Sequence, residues 1–269
     1  MTAIVLAAGK SSRINLTLSE TEKAKILSWL RTILQEELPP TLNNSIPKVI
    51  LPLSNEPLIL HILSQIREGG AKRIIVVINP NFDFIRKVIE RRRGFPIEFV
   101  YQKEPKGTAD AVKCCAPLLG DEDVLVVCGD TPLLKSRTFS HLYSEFQKGH
   151  FSLVMLSAIL PSPSGYGRVL RDGEEIRIVE ERDADEEVKR IKEVNAGVYL
   201  FHWPEVFPLL SEIKPFGNPP EEYLTALIPL IQKKGGRVKV VTTPNPDEVL
   251  GINTEEDYQR VQNLLKGRE

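Results

Sequence analysis

Two short stretches carry residue types suited to phosphate chemistry: LAAGKSSR, Leu6 to Arg13, and CGDTPLL, Cys128 to Leu134. The GKSS inside the first invites comparison with a phosphate-gripping Walker loop. Such a loop needs a glycine five positions ahead of its Gly-Lys-Ser, so that a wrap of backbone amides can cradle phosphates. That position is Ile4, inside an apolar run, and Lys10 follows directly on the turn that ends the first strand. GKSS is therefore not a Walker loop. What remains is a strand, AIVLA, that breaks at Ala8-Gly9 into small polar residues and then Arg13. A glycine there lets the backbone approach a ligand without Cβ interference, and exposed amides can meet phosphate oxygens. A plain turn would be written in the same letters. In the second stretch Asp130 offers a carboxylate at the end of an apolar strand, although a turn residue before Thr131-Pro132 reads the same way.

The elements that must position these loops alternate between apolar β-rich runs and helical patterns. AIVLA is followed, after a long interruption, by the helix EPLILHILSQIREGG, the strand RIIVVI and the helix DFIRKVIERRR. Then come the strand IEFVY, the helix GTADAVKCCAPLL and the strand VLVVCGD. Runs without alternation mark strands buried on both faces, and the helices between them imply right-handed crossovers, so the fold class is a doubly wound α/β sheet. From Phe151 the pattern loosens into a strand FSLVMLSAIL, a hairpin GYGRVLRDGEEIRIVEE, a strand VNAGVYLF, two helical stretches, a strand RVKVVTT and a last helix from about Glu255. No internal repeat is present. If the strand order begins 3-2-1-4, strands one and four are neighbours where ligands of such sheets bind. A glycine, a cation and a carboxylate then meet in one crevice, a geometry suited to a nucleotide and a metal.

Composition narrows the classes. Lys plus Arg is 35 and Asp plus Glu 36, so the net charge of −1 points neither to nucleic acid nor to an anionic membrane. The densest basic cluster, RKVIERRR from Arg86 to Arg93, places Val88 and Ile89 inward at helical spacing and reads as a solvated helix face. Cys114, Cys115 and Cys128 have neither zinc nor disulfide spacing and read as buried thiols of a reducing compartment. With no signal peptide, lipidation site or run of ~18 apolar residues, a soluble cytoplasmic protein is expected. At 269 residues, 1–269 reads as a single domain: 1–150 and 151–254 as its halves, 14–47 as a helical insertion and 255–269 as a C-terminal helix.

LAAGKSSR, the PK of Pro47-Lys48, QKEPKGTADA, CGDTPL, GYGR, IVEERDA, EVNAGVYLF, EEYLT and LGINT occur in the order seen in sugar-1-phosphate nucleotidyltransferases. The chain most resembles the uridylyltransferase half of the bacterial bifunctional N-acetylglucosamine-1-phosphate enzymes, from Ala3 to about Thr254. The resemblance implies a Rossmann-like, mostly parallel sheet with a smaller β-rich sugar-binding part. It implies that Leu6, Ala7, Ala8 and Gly9, with Gln102, Gly107, Thr108 and Gly129, hold the nucleotide. A glutamine amide both donates and accepts, so it can read a pyrimidine edge. Arg13 and Lys48 would hold the triphosphate and offset charge on the leaving pyrophosphate. Asp130 and Asn253 would bind Mg²⁺, a hard ion that takes oxygen ligands. Thr254 with Asp257 makes the better helix cap, which releases Asn253 for that role. Gly167, Glu180, Asn195, Tyr223 and Thr225 would surround the sugar.

No Ser-His-Asp arrangement and no reactive cysteine setting is present, so the nucleophile must come from the substrate. The expected reaction is attack by a phosphate oxygen of the sugar 1-phosphate on the α-phosphorus of UTP, giving UDP-N-acetylglucosamine and pyrophosphate. The same chemistry with dTTP, CTP or glucose 1-phosphate is the nearest rival. A non-catalytic sugar-nucleotide sensor is the rival from another class, and a dehydrogenase is disfavoured because the first turn lacks GxGxxG. Two departures from the resemblance stand out. All of Ile14–Pro47 lies between Arg13 and Lys48, where the related enzymes have a handful of residues. Within it SETEKAKILSWLRTILQEELPP reads as an amphipathic helix, with a Ser19–Glu22 capping box, a stripe of Ile26, Leu30, Ile33, Leu34 and Leu38, and a stop at Pro39-Pro40. It could pack on the domain surface, serve as a lid or make a homo-oligomer contact. The second departure is Asp110, where the related enzymes carry histidine. Because the chain ends soon after its last helix, no acetyltransferase half is expected.

Overall fold

The computed structural model describes residues 1–9, 18–39, 42, 46–92 and 94–266. Arg13 and the GKSS residues after Gly9 lie outside them. The first strand, β1 (Thr2–Ala7), is flanked by two parallel strands, β4 (Arg73–Ile78) on one side and β6 (Asp123–Cys128) on the other. The edge strand β5 (Glu98–Tyr101) pairs with β4, so the order 3-2-1-4 expected for the first long strands is the observed one. Alternation explains the burial of β1 on both faces. Ala3, Val5 and Ala7 belong to one apolar cluster and Ile4 to the other, each cluster packed on its own side of the sheet.

Beyond β6 the same sheet continues. The long strand β10 (Glu193–His202) runs antiparallel between β6 and β7 (Leu153–Ile159), and β11 (Val238–Thr242) closes the far edge parallel to β7. The hairpin of β8 (Arg168–Asp172) and β9 (Glu175–Val179) branches off β10, turning at Gly173 with φ +58°. Residues 52–53 and 56–57, β2 and β3, form a separate two-residue hairpin ahead of the helix α2 (Leu58–Glu68).

The helix read within 14–47 is present among the described residues, with one difference. Helix α1 (Glu20–Leu34) starts at a complete Ser19–Glu22 capping box and buries Ile26, Leu30, Ile33 and Leu34. It ends at Gln35, which adopts a left-handed conformation, and not at the prolines; Leu38 packs on the core from the following segment. The helix lies on α3 (Phe84–Arg92), whose Arg91 donates to the terminal carbonyls of Ile33 (3.3 Å) and Leu34, while Lys87 pairs with Glu36 at 3.1 Å. Its apolar stripe is therefore covered by its own domain.

Two other expectations are corrected. The helix read over GTADAVKCCAPLL is only α4 (Thr108–Lys113), followed by a 3-10 turn at Ala116–Leu118, because Pro117 cannot continue a helical ladder. EFVY and VKVVT are edge strands, partly exposed along their length. No described helix is long and apolar enough to cross a membrane.

Candidate active site

The carboxyl ends of β1 and β6 meet side by side, and the chain leaves both there. The Gly129 amide donates to the Leu6 carbonyl at 3.0 Å, and a Cβ on Gly129 would stand 3.0 Å from that same oxygen, so the two loops touch through backbone. Asp130 follows at once. Lys48 opens a 3-10 turn (Lys48–Ile50), and its ammonium forms an ion pair with Asp130 and donates to the Asn253 amide oxygen at 3.1 Å. The Asp130 carbonyl accepts from the Ile252 amide at 3.0 Å, which binds the LGINT loop to the CGD loop.

Asn253 is available for this because others cap the helix after it. The Asp257 carboxylate accepts from the Asn253 and Thr254 amides, both at 2.9 Å, and the Asp257 amide donates to the Thr254 hydroxyl at 3.2 Å. That is the reciprocal box read from the sequence, and it starts α9 (Glu255–Lys266). Two hard oxygens, one charged and one neutral, thus converge on a single positive centre. Among the described residues no group of three or more His, Cys, Asp or Glu could hold a metal ion by itself. The donor set still suits Mg²⁺, which binds through one or two protein carboxylates together with substrate phosphates and not in all-protein cages.

On the β4–β5 side, Gln102 follows β5 directly and its amide nitrogen donates to the Ile78 carbonyl at 2.9 Å. Its side chain reaches into the turn that begins α4, where Nε2 donates to the Gly107 carbonyl at 3.0 Å and to Asp110 at 2.7 Å. Gly107 has φ +138°, and a Cβ there would lie 2.6 Å from the backbone nitrogen of Glu222, so only glycine fits. The Leu224 amide donates to the Thr108 hydroxyl at 2.8 Å.

Four of the five residues expected around a sugar are in mutual contact or one bond apart. The Glu180 carboxylate accepts from the Thr225 hydroxyl at 3.1 Å and sits 3.2 Å from where a Gly167 Cβ would be. Gly167 in turn accepts the Asn195 amide at 2.9 Å. Burial, more than the Thr225 hydrogen bond can offset, raises the Glu180 carboxyl above the usual range. A register shift in β10 between Asn195 and Tyr199 turns the Asn195 side chain back on its own strand: Nδ2 donates to the Tyr199 hydroxyl at 2.6 Å and Oδ1 accepts from Gly197 N at 3.1 Å. Tyr223, the fifth, lies under the Arg182 guanidinium, 4.9 Å from its ring centre.

The model of the family described as Nucleotidyl transferase matches residues 36–245. The chain belongs to the nucleotidyl transferase family. Among curated proteins it is similar to the bifunctional protein GlmU of Heliobacterium modesticaldum, 33% identical over 271 residues covering 99% of this chain and 52% of that protein. It is also similar to the bifunctional protein GlmU of Thermus thermophilus, 39% identical over 230 residues covering 84% of this chain and 49% of that protein. The chain spans about half the length of these relatives. Among solved structures it shares the fold of a protein described as a glucose-1-phosphate thymidylyltransferase from Bacillus anthracis in complex with a sucrose, with TM-score 0.72 at 19% identity, covering 98% of this chain and 94% of that one. The inositol-1-phosphate CTP transferase from T. maritima shares it too, with TM-score 0.67 at 19% identity and the same coverage.

In this nucleotidyl transferase some supporting groups left no usable sequence signal. The Tyr166 hydroxyl accepts the Gly251 amide at 2.9 Å, anchoring the LGINT loop from the far side. Glu222 accepts from the Ala109 amide at 2.9 Å, donates its own amide to the Lys106 carbonyl at 2.7 Å and pairs with Lys113. Tyr166 stands between two glycines in GYGR, which marks a tight turn without naming its partner. Glu222 sits in EEYLT, where its work is done mostly by backbone that any residue carries.

Proposed function

We propose that the chain transfers a uridylyl group from UTP to a sugar 1-phosphate, N-acetylglucosamine 1-phosphate being the preferred acceptor, to give UDP-N-acetylglucosamine and pyrophosphate. Membership of the nucleotidyl transferase family supports the reaction class, and the GlmU relatives at 33% and 39% identity support the choice of sugar and nucleotide. One observation carries the reading: Lys48, Asp130 and Asn253 converge beside the Leu6–Gly129 contact, where β1 and β6 end.

A phosphate oxygen of the sugar phosphate forms a bond to the α-phosphorus while the bond to the α–β bridging oxygen breaks, and pyrophosphate leaves with that electron pair. Leu6, Ala7, Ala8, Gly9, Gln102, Gly107, Thr108 and Gly129 hold the nucleotide in this reading, and Gly167, Glu180, Asn195, Tyr223 and Thr225 hold the sugar. Lys48, with Arg13 beyond the described residues, neutralises the triphosphate, so that positioning and charge supply most of the rate. Asp130 and Asn253 would hold Mg²⁺, which when bound neutralises and orients phosphate oxygens. The test is pyrophosphate release from four nucleoside triphosphates against several sugar 1-phosphates, with and without Mg²⁺. Release is expected to be fastest with UTP and N-acetylglucosamine 1-phosphate and to require the metal. No release in any combination would favour a sugar-nucleotide sensor.

A further inference from the structure

We propose that Asp110 is a positioning residue that makes Gln102 an acceptor-only reader, selecting bases whose ring nitrogen carries a proton (uracil and thymine) over those whose ring nitrogen accepts (cytosine). The inference rests on the nucleotide site proposed above. A free glutamine amide reads either kind of edge, because a rotation by half a turn exchanges its oxygen and its NH₂. Gln102 cannot make that exchange without loss. Both hydrogens of its Nε2 are engaged, one on the Gly107 carbonyl at 3.0 Å and one on the Asp110 carboxylate at 2.7 Å. Turning the amide over would set its oxygen against two acceptors, one of them charged, in a residue only 4% exposed.

The Gly107 acceptor cannot move aside. The Gly107 carbonyl also receives the Ala111 amide at 3.2 Å, and the Gly107 backbone lies against Glu222. Asp110 stands three residues further on in the first turn of α4, which places both acceptors on the same side of Gln102. Among the described residues the Gln102 amide oxygen has no partner, so it is the polar atom left for a ligand. An oxygen held there accepts the N3–H of uracil or thymine and opposes the lone pair on N3 of cytosine. An aspartate at 110, where the resembling enzymes carry histidine, therefore fixes which way the reading amide points.

The experiment compares kcat/KM for UTP and CTP in the wild type, Asp110→Ala and Asp110→Asn, with binding of both nucleotides measured by calorimetry. Loss of one charge-assisted hydrogen bond corresponds to roughly tenfold to a hundredfold in a selectivity ratio. Asp110→Ala is expected to lower the UTP/CTP ratio by about that factor, mainly through improved use of CTP, with the KM for the sugar phosphate unchanged. Asp110→Asn keeps an acceptor oxygen and is expected to restore part of the ratio, and being isosteric it carries the test if the alanine variant fails to fold. A ratio within about twofold of wild type in both variants would overturn the lock and leave the proposed reaction standing. A wild type that releases pyrophosphate from no nucleotide would instead sink the reaction, and the lock would then be decided by the same ratio of binding affinities.

Discussion

The Asn253 amide oxygen accepts from the Lys48 ammonium at 3.1 Å, although 205 positions of chain separate them. Asp130 meets the same ammonium from a third loop. An ammonium flanked by a carboxylate and an amide oxygen is a stable resting arrangement. On the proposed reading it also marks where a doubly charged cation would find the same two oxygens once a triphosphate draws the lysine toward its phosphates.

Asp130→Asn keeps the shape of the side chain and removes its charge. Pyrophosphate release should fall by on the order of a hundredfold or more, and the Mg²⁺ concentration for half-maximal rate should rise. Asn253→Ala should act in the same direction more weakly, because it removes a neutral ligand. Wild-type rates in Asp130→Asn at limiting Mg²⁺ would remove the metal from the proposal.

Gly107 and Gly9 should respond oppositely to alanine. At Gly107 the new methyl meets the Glu222 backbone and the residue is held at φ +138°, so Gly107→Ala should cost at least about 1–3 kcal/mol in urea unfolding.

At Gly9 nothing described lies within 4 Å of a built Cβ, and φ is outside the left-handed region. Gly9→Ala should therefore leave stability within about 0.5 kcal/mol while raising the KM for UTP by roughly tenfold, on the order of one lost close contact. Unfolding curves and KM measured on the same preparation separate the two effects. An unchanged KM would show that the glycine serves only a turn.

Glu180 gives a pH signature. Burial holds its carboxyl above the ordinary value of 4.5, so the folded state binds this proton more tightly than the unfolded chain does. Its contribution to stability is then full below that value and is lost as the pH rises through the raised one. Glu180→Gln should accordingly be more stable than wild type at pH 7, with the gap closing as the pH falls toward 4.5. The same change should raise the KM for the sugar phosphate. Equal urea midpoints at pH 7 and pH 4.5 would contradict the linkage.

Legibility in the sequence followed the range of the interaction. β1 and β6 were readable because residues buried on both faces leave an unbroken apolar run, and the Ser19 and Thr254 caps because their partners lie three positions away. EFVY and VKVVT carry the same apolar signature yet lie at the sheet edges, since exposure there is set by strand order and not by local composition. Helix α1 stops at Gln35, ahead of the conspicuous prolines, because a left-handed cap needs no special letter. Motif residues such as Gly107 and Asp130 could be named from their neighbours. Their pairings with Glu222 and Lys48 join distant segments, so only the assembled fold reveals those contacts.

Three backbone-anchored hydrogen bonds join the turn around Gly107 to Glu222 and Leu224: Ala109 to Glu222, Glu222 to Lys106 and Leu224 to Thr108. On the proposed reading they tie the base end of the substrate pocket to the segment bearing Tyr223 and Thr225. The span between the two ends is then a ruler cut in main chain and pinned by the Thr108 hydroxyl. A nucleotide sugar longer or shorter by one bond would be mismeasured whatever side chains surround it, so re-engineering the acceptor calls for altering the length of that seam before altering its lining.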